Sequence, residues 1–196
     1  MIVMGGSLGG MQSVQYLLAA LPSDFALPIV IVLHRPADDE DMLTPLLQRG
    51  CVLRVSEVID KEPIQAGRVY VAPADYHVLV EAGCLSLSID ERVHHARPSI
   101  DVLFESAALV YGGRVIGVVL SGAGVDGAHG AATIRKSGGP VLVESPAMAF
   151  RPDLPAAALA AAAGAKSLPL PQIATALREL AREEFEGSER CKPIHE

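Results

Sequence analysis

The 196-residue chain has no tryptophan, four tyrosines, four phenylalanines and three cysteines, which are Cys51, Cys84 and Cys191. An odd count without a C-x-x-C pair indicates neither a disulfide framework nor a zinc knuckle, and it favours a reducing, cytoplasmic setting. Positive charge is also scarce, because 16 Lys and Arg face 23 Asp and Glu, for a net charge of −7. This balance argues against a nucleic-acid partner, which would need a basic field.

Long apolar runs are absent as well, so we expect no membrane span, and the first residues enter a predicted strand without a charged leader. No histidine pair has H-x-x-x-H spacing, and we interpret four of the six histidines as solvated surface residues; they are His77, His94, His95 and His129. The glycine run near the start has neither a following Lys-Ser/Thr pair nor G-x-G-x-x-G spacing, which disfavours nucleotide binding. We therefore expect no metal and no cofactor.

Aliphatic residues dominate what is present, and half of the chain is hydrophobic. Apolar runs predict strands near residues 2–4, 29–33, 53–55, 69–72, 115–120 and 141–143. Helical patterns lie near residues 9–21, 39–49, 99–111, 126–136, 152–163 and 172–185. This alternation predicts an α/β fold with a doubly wound, mostly parallel sheet.

The middle of the chain departs from this alternation. Residues 76–80 and 85–89 alternate in polarity around a short glycine-containing turn, which predicts a β-hairpin inserted at the edge of the sheet. We expect one domain over residues 1–185, followed by a frayed polar tail over residues 186–196.

A glycine-rich turn follows the first predicted strand and reads Gly5-Gly6-Ser7-Leu8-Gly9-Gly10. Its first five residues have the G-x-S-x-G spacing of a nucleophile elbow, in which a strand-to-helix turn exposes a serine hydroxyl. The alternative is a βα turn whose serine only caps the following helix.

Three predicted strands deliver Ser7, His34 and Asp126 at their carboxyl ends, where ligands of doubly wound sheets bind. A serine hydroxyl needs an imidazole to take its proton and a carboxylate to orient that imidazole. Alternatively, His34 is a polar strand terminus and Asp126 caps a helix. The order Ser, His, Asp also differs from that of the α/β-hydrolases.

Four segments together resemble the CheB-type protein-glutamate methylesterases over nearly the whole chain. They are residues 5–10 (GGSLGG), 33–36 (LHRP), 97–104 (RPSIDVLF) and 120–127 (LSGAGVDG). The resemblance implies a domain that removes methyl esters from glutamate side chains of bacterial chemoreceptors. It assigns the nucleophile to Ser7, the base to His34 and the orienting carboxylate to Asp126.

The resemblance also places further residues at the site. Backbone N–H groups around Leu8, Gly9 and Ala123 are candidates for an oxyanion hole, since main-chain donors survive side-chain changes. Arg97 is a candidate for binding a substrate carboxylate, or else it anchors the hairpin. Ser99 and Asp101 are interpreted as first-turn residues of a helix.

Three positions depart from the pattern of the family, which usually has Thr, Met and Asn where this chain has Leu8, Ala123 and Val125. They leave two alternatives open: a catalytically weakened interaction domain of the same fold, or a small-molecule carboxylesterase. The expected partner is a methylated chemoreceptor-like protein. Chemotaxis members also carry a phosphorylatable receiver domain, so regulation is expected from a separate chain or a removed segment, or is absent.

Overall fold

The computed structural model describes residues 1–36 and 42–190. These residues contain ten strands: β1 Ile2–Gly6, β2 Ile29–Leu33, β3 Arg54–Glu57, β4 Glu62–Pro63, β5 Arg68–Val71, β6 His77–Glu81, β7 Cys84–Ser88, β8 Ile116–Val119, β9 Val141–Glu144 and β10 Lys166–Leu168. The same described part of the chain contains six α-helices: α1 Gly10–Ala19, α2 Leu43–Arg49, α3 Ile100–Tyr111, α4 Ala128–Lys136, α5 Asp153–Ala161 and α6 Leu170–Arg190. The predicted α/β fold is confirmed.

The main sheet has seven parallel strands in the order β10-β9-β8-β1-β2-β5-β3. The chain builds outward from β1 through β2 to one edge, then returns to place β8 on the other side of β1. The carboxyl ends of β1 and β8 therefore form the topological switch point, where ligands bind in doubly wound sheets.

Helices cover both faces of this sheet because the central strands are apolar on both faces. In β1, Ile2 and Met4 point to the face covered by α1, α2 and α6, whereas Val3 points to the face covered by α3, α4 and α5. This alternation follows from the two-residue period of a strand.

The predicted hairpin is present, but it is not an insertion at the edge of the main sheet. Strands β6 and β7 pair with the short β4 in a separate three-stranded antiparallel sheet. Its apolar face packs against α3, and the Val80 N–H donates a 3.0 Å hydrogen bond to Ser106 Oγ. The hairpin is thus attached to a helix, and alternating polarity could not distinguish the two arrangements.

Several boundaries differ from the predicted ones. Strand β10 was not predicted, since its three residues are mostly exposed and lack an apolar run. Helix α6 continues to Arg190, into the segment predicted as a frayed tail, and residues 191–196 lie outside the described residues. The predicted start of α2, near residue 39, also lies outside them. None of the described helices is long and apolar enough to cross a membrane.

Candidate active site

Ser7 lies on a tight turn between β1 and α1 that is fixed by main-chain hydrogen bonds. Its N–H donates to the Ser121 carbonyl at 3.0 Å, and its own carbonyl accepts from the Gly10 N–H at 2.8 Å. Gly9 has a φ of 86°, and a Cβ there would lie 2.7 Å from Phe150 Cβ. Glycine is required at this position for both its backbone conformation and its close packing.

The turn after β8 packs directly against the serine. A Cβ on Gly122 would lie 2.9 Å from Ser7 Cβ and 3.0 Å from Ser7 N. The second glycine-rich segment therefore lets two strand-end turns touch at the switch point, and any side chain at position 122 would displace the serine.

His34 follows β2, and its N–H donates to the carbonyl of Gly6 at 3.1 Å. This hydrogen bond fixes the main chain of His34 beside the turn that carries Ser7. Its ring nitrogen Nε2 lies 2.7 Å from Asp126 Oδ2. The imidazole is about one-fifth exposed, whereas the carboxylate of Asp126 is buried. With Nε2 directed at Asp126, Nδ1 is the nitrogen left to accept a proton.

Asp126 accepts four hydrogen bonds, so both of its oxygens are saturated. Oδ2 accepts from His34 and from the Ile100 N–H at 2.7 Å, while Oδ1 accepts from Ser99 Oγ at 2.7 Å and the Asp101 N–H at 3.1 Å. Two of these donors are free N–H groups in the first turn of α3, where the helix dipole also favours a negative charge.

These hydrogen bonds decide the charge of Asp126. Burial alone would raise the pKa of this carboxyl, but the hydrogen bonds from His34, Ile100, Ser99 and Asp101 outweigh burial and hold the pKa below its usual value. A buried anion beside the imidazole can both orient the ring and stabilise its protonated form.

A second buried carboxyl, Asp101, lies next to Asp126 and differs from it. Its Oδ1 accepts from the Gly130 N–H at 2.7 Å, and its Oδ2 lies 3.4 Å from His94 Nε2. Burial raises the pKa of Asp101, the Gly130 hydrogen bond lowers it, and the negative charge of Asp126 raises it further; the net direction is upward. The environment thus favours a charge on Asp126 over one on Asp101.

Ser7 and His34 both line one cavity of about 270 Å³, whose other lining residues include Met11, Leu33 and Leu46. Within residues 1–36 and 42–190, no hydrogen bond engages the Ser7 hydroxyl. The hydroxyl is therefore available to a ligand in the cavity, which the imidazole of His34 also lines.

Three backbone donors predicted for an oxyanion hole lie in the turn that carries Ser7 and in the turn after β8 that packs against it. Across the part of the chain that the structure describes, the N–H groups of Leu8, Gly9 and Ala123 donate to no protein acceptor. The carbonyl of Leu8 is fixed by Ser121 Oγ at 2.9 Å, which orients the peptide that follows. Such preorganised donors are what a developing oxyanion needs.

Arg97 lies on the hairpin side of the site, where it holds structure together. Its Nε and Nη2 atoms contact Asp75 at 3.1 and 2.8 Å, and Nη1 donates to the carbonyls of Ile89 and Asp90. Four of its five N–H groups are therefore engaged. This geometry favours the anchoring alternative over the predicted carboxylate-binding role.

The three departures from the family pattern lie on the outer rim rather than beneath the serine. Leu8 and Val125 are half exposed, at 55% and 51%, and Ala123 is partly buried. Phe150 and Met148, on the loop that contacts Gly9, are exposed as well. The surface around Ser7 is therefore apolar on this side.

Sequence reasoning missed a buried network behind the nucleophile turn. Glu144 Oε2 accepts from Ser13 Oγ and from the Ser121 N–H, each at 2.8 Å. Glu144 is the last residue of β9. The search for polar residues at the carboxyl ends of predicted strands, which identified His34, would therefore also have identified Glu144. Ser99 was interpreted only as a cap; it does accept from the Val102 N–H, but it also donates to Asp126.

One interpretation was wrong: His77 is not a surface residue. It is 1% exposed, its Nδ1 accepts from the Ser99 N–H at 3.2 Å, and its Nε2 lies 3.0 Å from the Glu91 carbonyl. It links the hairpin to the start of α3, and sequence pattern alone did not show that this strand packs on a helix.

Comparison with known proteins shows which proteins this chain resembles. A family model described as CheB methylesterase matches residues 2–177. A putative protein-glutamate methylesterase/protein-glutamine glutaminase of Leptospira interrogans is 42% identical over 174 residues, which cover 88% of this chain and 90% of that protein. A Caulobacter vibrioides protein-glutamate methylesterase/protein-glutamine glutaminase 2 is 38% identical over 186 residues, which cover 92% of this chain but 54% of that protein.

A solved structure shares the fold. The crystal structure of the Thermotoga maritima CheB methylesterase catalytic domain has a TM-score of 0.87 and 32% sequence identity with this chain, and the match covers 91% of this chain and 97% of the other. This chain thus spans nearly all of a catalytic domain and about half of the longer Caulobacter relative.

Proposed function

The chain belongs to the CheB methylesterase family, and we propose that it hydrolyses methyl esters of glutamate side chains in a chemoreceptor-like protein, releasing methanol. As a family member it is a carboxylic ester hydrolase. The observation that carries the detailed proposal is the 2.7 Å pair of His34 and Asp126, together with the cavity that both His34 and Ser7 line.

The first half of the proposed reaction acylates the serine. Ser7 Oγ attacks the ester carbonyl while His34 takes the hydroxyl proton, and the resulting oxyanion is stabilised by N–H groups of Leu8, Gly9 or Ala123. The protonated imidazole then gives that proton to the leaving methoxide, so methanol departs and an acyl-serine remains. Asp126 stays ionised and stabilises the imidazolium throughout.

The second half releases the carboxylate. Water attacks the acyl-serine while His34 takes one of its protons, and the imidazole returns the proton to Ser7 Oγ as the bond breaks. The sum is ester plus water giving carboxylic acid plus methanol. Each proposed step uses only Ser7, His34, Asp126 and nearby backbone N–H groups.

A methylated receptor signalling fragment would test the proposal by methanol release. We expect turnover by the parent protein, a loss of roughly 10⁴-fold or more in Ser7→Ala, and no change in the matched surface variant Ser137→Ala. A serine-directed phosphonate should give one adduct at Ser7. Hydrolysis no faster than that of Ser7→Ala would instead favour the weakened interaction domain.

The names of the Leptospira and Caulobacter relatives also include a second activity, that of a protein-glutamine glutaminase. We infer that the same site also hydrolyses glutamine side-chain amides, because the acyl-serine would be identical. His34 would give its proton to the amide nitrogen as the C–N bond breaks, so that ammonia leaves instead of methanol. Ammonia release from the same fragment with glutamine at the methylation position tests this activity. Its absence alongside methanol release would restrict the chain to esters.

A further inference from the structure

A second cavity, of about 330 Å³, opens on the hairpin side of His34. Its walls include Arg92, His94, His95 and Arg97, and no acidic residue is among the described residues that line it. Since His34 lies on its edge, any group in this cavity is next to the imidazole proposed as the base.

Arg92 is the exposed arginine among the described residues of this cavity, because Arg35, which also lines it, is buried and paired with Glu57. Arg92 and Arg97 share a single carboxylate, Asp75, so the three charges sum to one positive charge. Arg97 uses four of its N–H groups on the hairpin. Arg92 makes one hydrogen bond within the described residues, and its side chain is 46% exposed. The remaining donors of Arg92 can therefore reach a ligand.

The turn that carries the two histidines holds a second donor at the rim. Val93 and Ala96 close it with paired main-chain hydrogen bonds of 3.1 and 2.8 Å. His94 and His95 have φ values of 49° and 65°, which residues with a Cβ rarely adopt and which occur preferentially at functional sites. His94 faces Asp101, whereas the exposed His95 has no partner in the part of the chain described.

We propose that this cavity binds a free carboxylate of the protein substrate that flanks the methylated glutamate, with Arg92 as its principal ligand and His95 as a second donor. The inference rests on the proposed function, because the carboxylate must belong to the molecule whose ester occupies Ser7. A planar guanidinium matches a carboxylate with two parallel hydrogen bonds. On a helical substrate, residues three or four positions apart lie on one face, about 5–6 Å apart between Cβ atoms.

Two substrates that differ at one residue test this subsite. Both are helical receptor fragments with one methylated glutamate, and the residue four positions away is Glu in one and Gln in the other. For Arg92→Gln we expect kcat/KM on the Glu fragment to fall about fivefold, mainly through KM, as for a partly exposed ion pair. For the Gln fragment, Arg92→Gln should change kcat/KM by less than about twofold.

The matched control is Arg54→Gln, an exposed arginine at the start of β3 and thus at the amino end of the parallel strands, whereas His34 follows the carboxyl end of β2. This variant should leave kcat/KM unchanged for both the Glu and the Gln fragment. Raising the salt concentration should shrink the preference of the parent protein for the Glu fragment, since mobile ions screen exposed charges. An equal response of both fragments to Arg92→Gln would overturn the subsite.

A binding measurement separates this inference from the proposed function. Fragments with glutamine at the methylation position and either Glu or Gln four positions away are labelled and titrated with the Ser7→Ala protein, with and without Arg92→Gln. The same fivefold contrast supports the subsite even if no methanol is released in the turnover assay. Equal affinities for both fragments, or equal competition by inorganic phosphate for both, contradict it.

Discussion

Replacing Asp126 with Asn tests the site most directly, because the change keeps the shape and removes the charge. An amide has one oxygen and one NH2 group, whereas all four groups around this carboxylate donate to it. With the NH2 group at the Oδ2 position, it would oppose the Ile100 N–H and force His34 into the wrong tautomer. We therefore expect the oxygen to occupy the Oδ2 position.

In that orientation the amide keeps two of the four hydrogen bonds, reverses the direction of a third and loses the fourth. The oxygen accepts from His34 and Ile100, and Ser99 Oγ can turn to accept from the NH2 group. The Asp101 N–H, 3.1 Å away, is left without an acceptor. One unpaired buried N–H and the loss of charge assistance should lower the free energy of unfolding by about 2–3 kcal/mol at pH 7.

The effect on turnover follows from the same geometry. Reversal of the histidine tautomer in a triad lowers kcat about 10⁴-fold, but here the ring can stay correctly oriented. Only the charge that stabilises the imidazolium is lost. We expect kcat to fall about 10²- to 10³-fold, which corresponds to about 3–4 kcal/mol of transition-state stabilisation.

Asp101→Asn is the matched control, because this carboxyl is equally buried and lies beside Asp126. Its amide oxygen can accept from the Gly130 N–H, and its NH2 group can face the ring of His94. The pKa of Asp101 is raised chiefly by burial, so removing its charge should leave stability unchanged or raise it by up to about 1 kcal/mol.

The pH dependence of stability should also separate the two variants. Because the pKa of Asp126 is lower when folded, its stabilisation is present above the ordinary aspartate pKa of about 3.9 and is lost as pH falls through the folded value. Asp126→Asn should flatten this acid limb. Asp101 has a raised pKa, so its contribution has the opposite sign and weakens the fold as pH rises.

Urea unfolding followed by circular dichroism, together with methanol release, measures both quantities. The reasoning would be refuted if Asp126→Asn and Asp101→Asn lost equal stability and equal activity. It would also be refuted if Asp126→Asn unfolded like the parent protein and kept full turnover, because the four hydrogen bonds would then have no energetic role.

Two further predictions concern the base and the rim. His34→Gln should lower the rate by several orders of magnitude. His129→Gln should leave the rate nearly unchanged, because His129 is exposed and paired with Glu105 on the surface; comparable losses would mean that the wrong imidazole was chosen. Restoring the family residues together (Leu8→Thr, Ala123→Met, Val125→Asn) should change preference among methylated substrates and alter turnover modestly, because these side chains lie on the rim; a gain of about a hundredfold would show instead that they position the nucleophile.

Much of the site could be predicted because its determinants are local. The glycines around Ser7 are required by a strand-to-helix turn, and they are visible as a motif. His34 and Asp126 follow apolar runs, and the carboxyl ends of parallel strands meet at one edge of the sheet, so strand order alone brought the candidates together. Glu144 followed the same rule and was overlooked.

The tertiary structure decided which partner each polar group has. The negative charge of Asp126 is stabilised by N–H donors at the start of α3, about 25 residues earlier in the chain. No local sequence pattern encodes that contact. His77 is buried because the hairpin packs on α3 instead of joining the main sheet. Arg97 and Arg92 are the same residue type five positions apart and line the same cavity. Arg97 uses four of its N–H groups in hydrogen bonds to the protein, whereas Arg92 makes one hydrogen bond within the described residues. Sequence patterning determines which faces become buried, whereas hydrogen-bond partners and free charges depend on how distant elements pack.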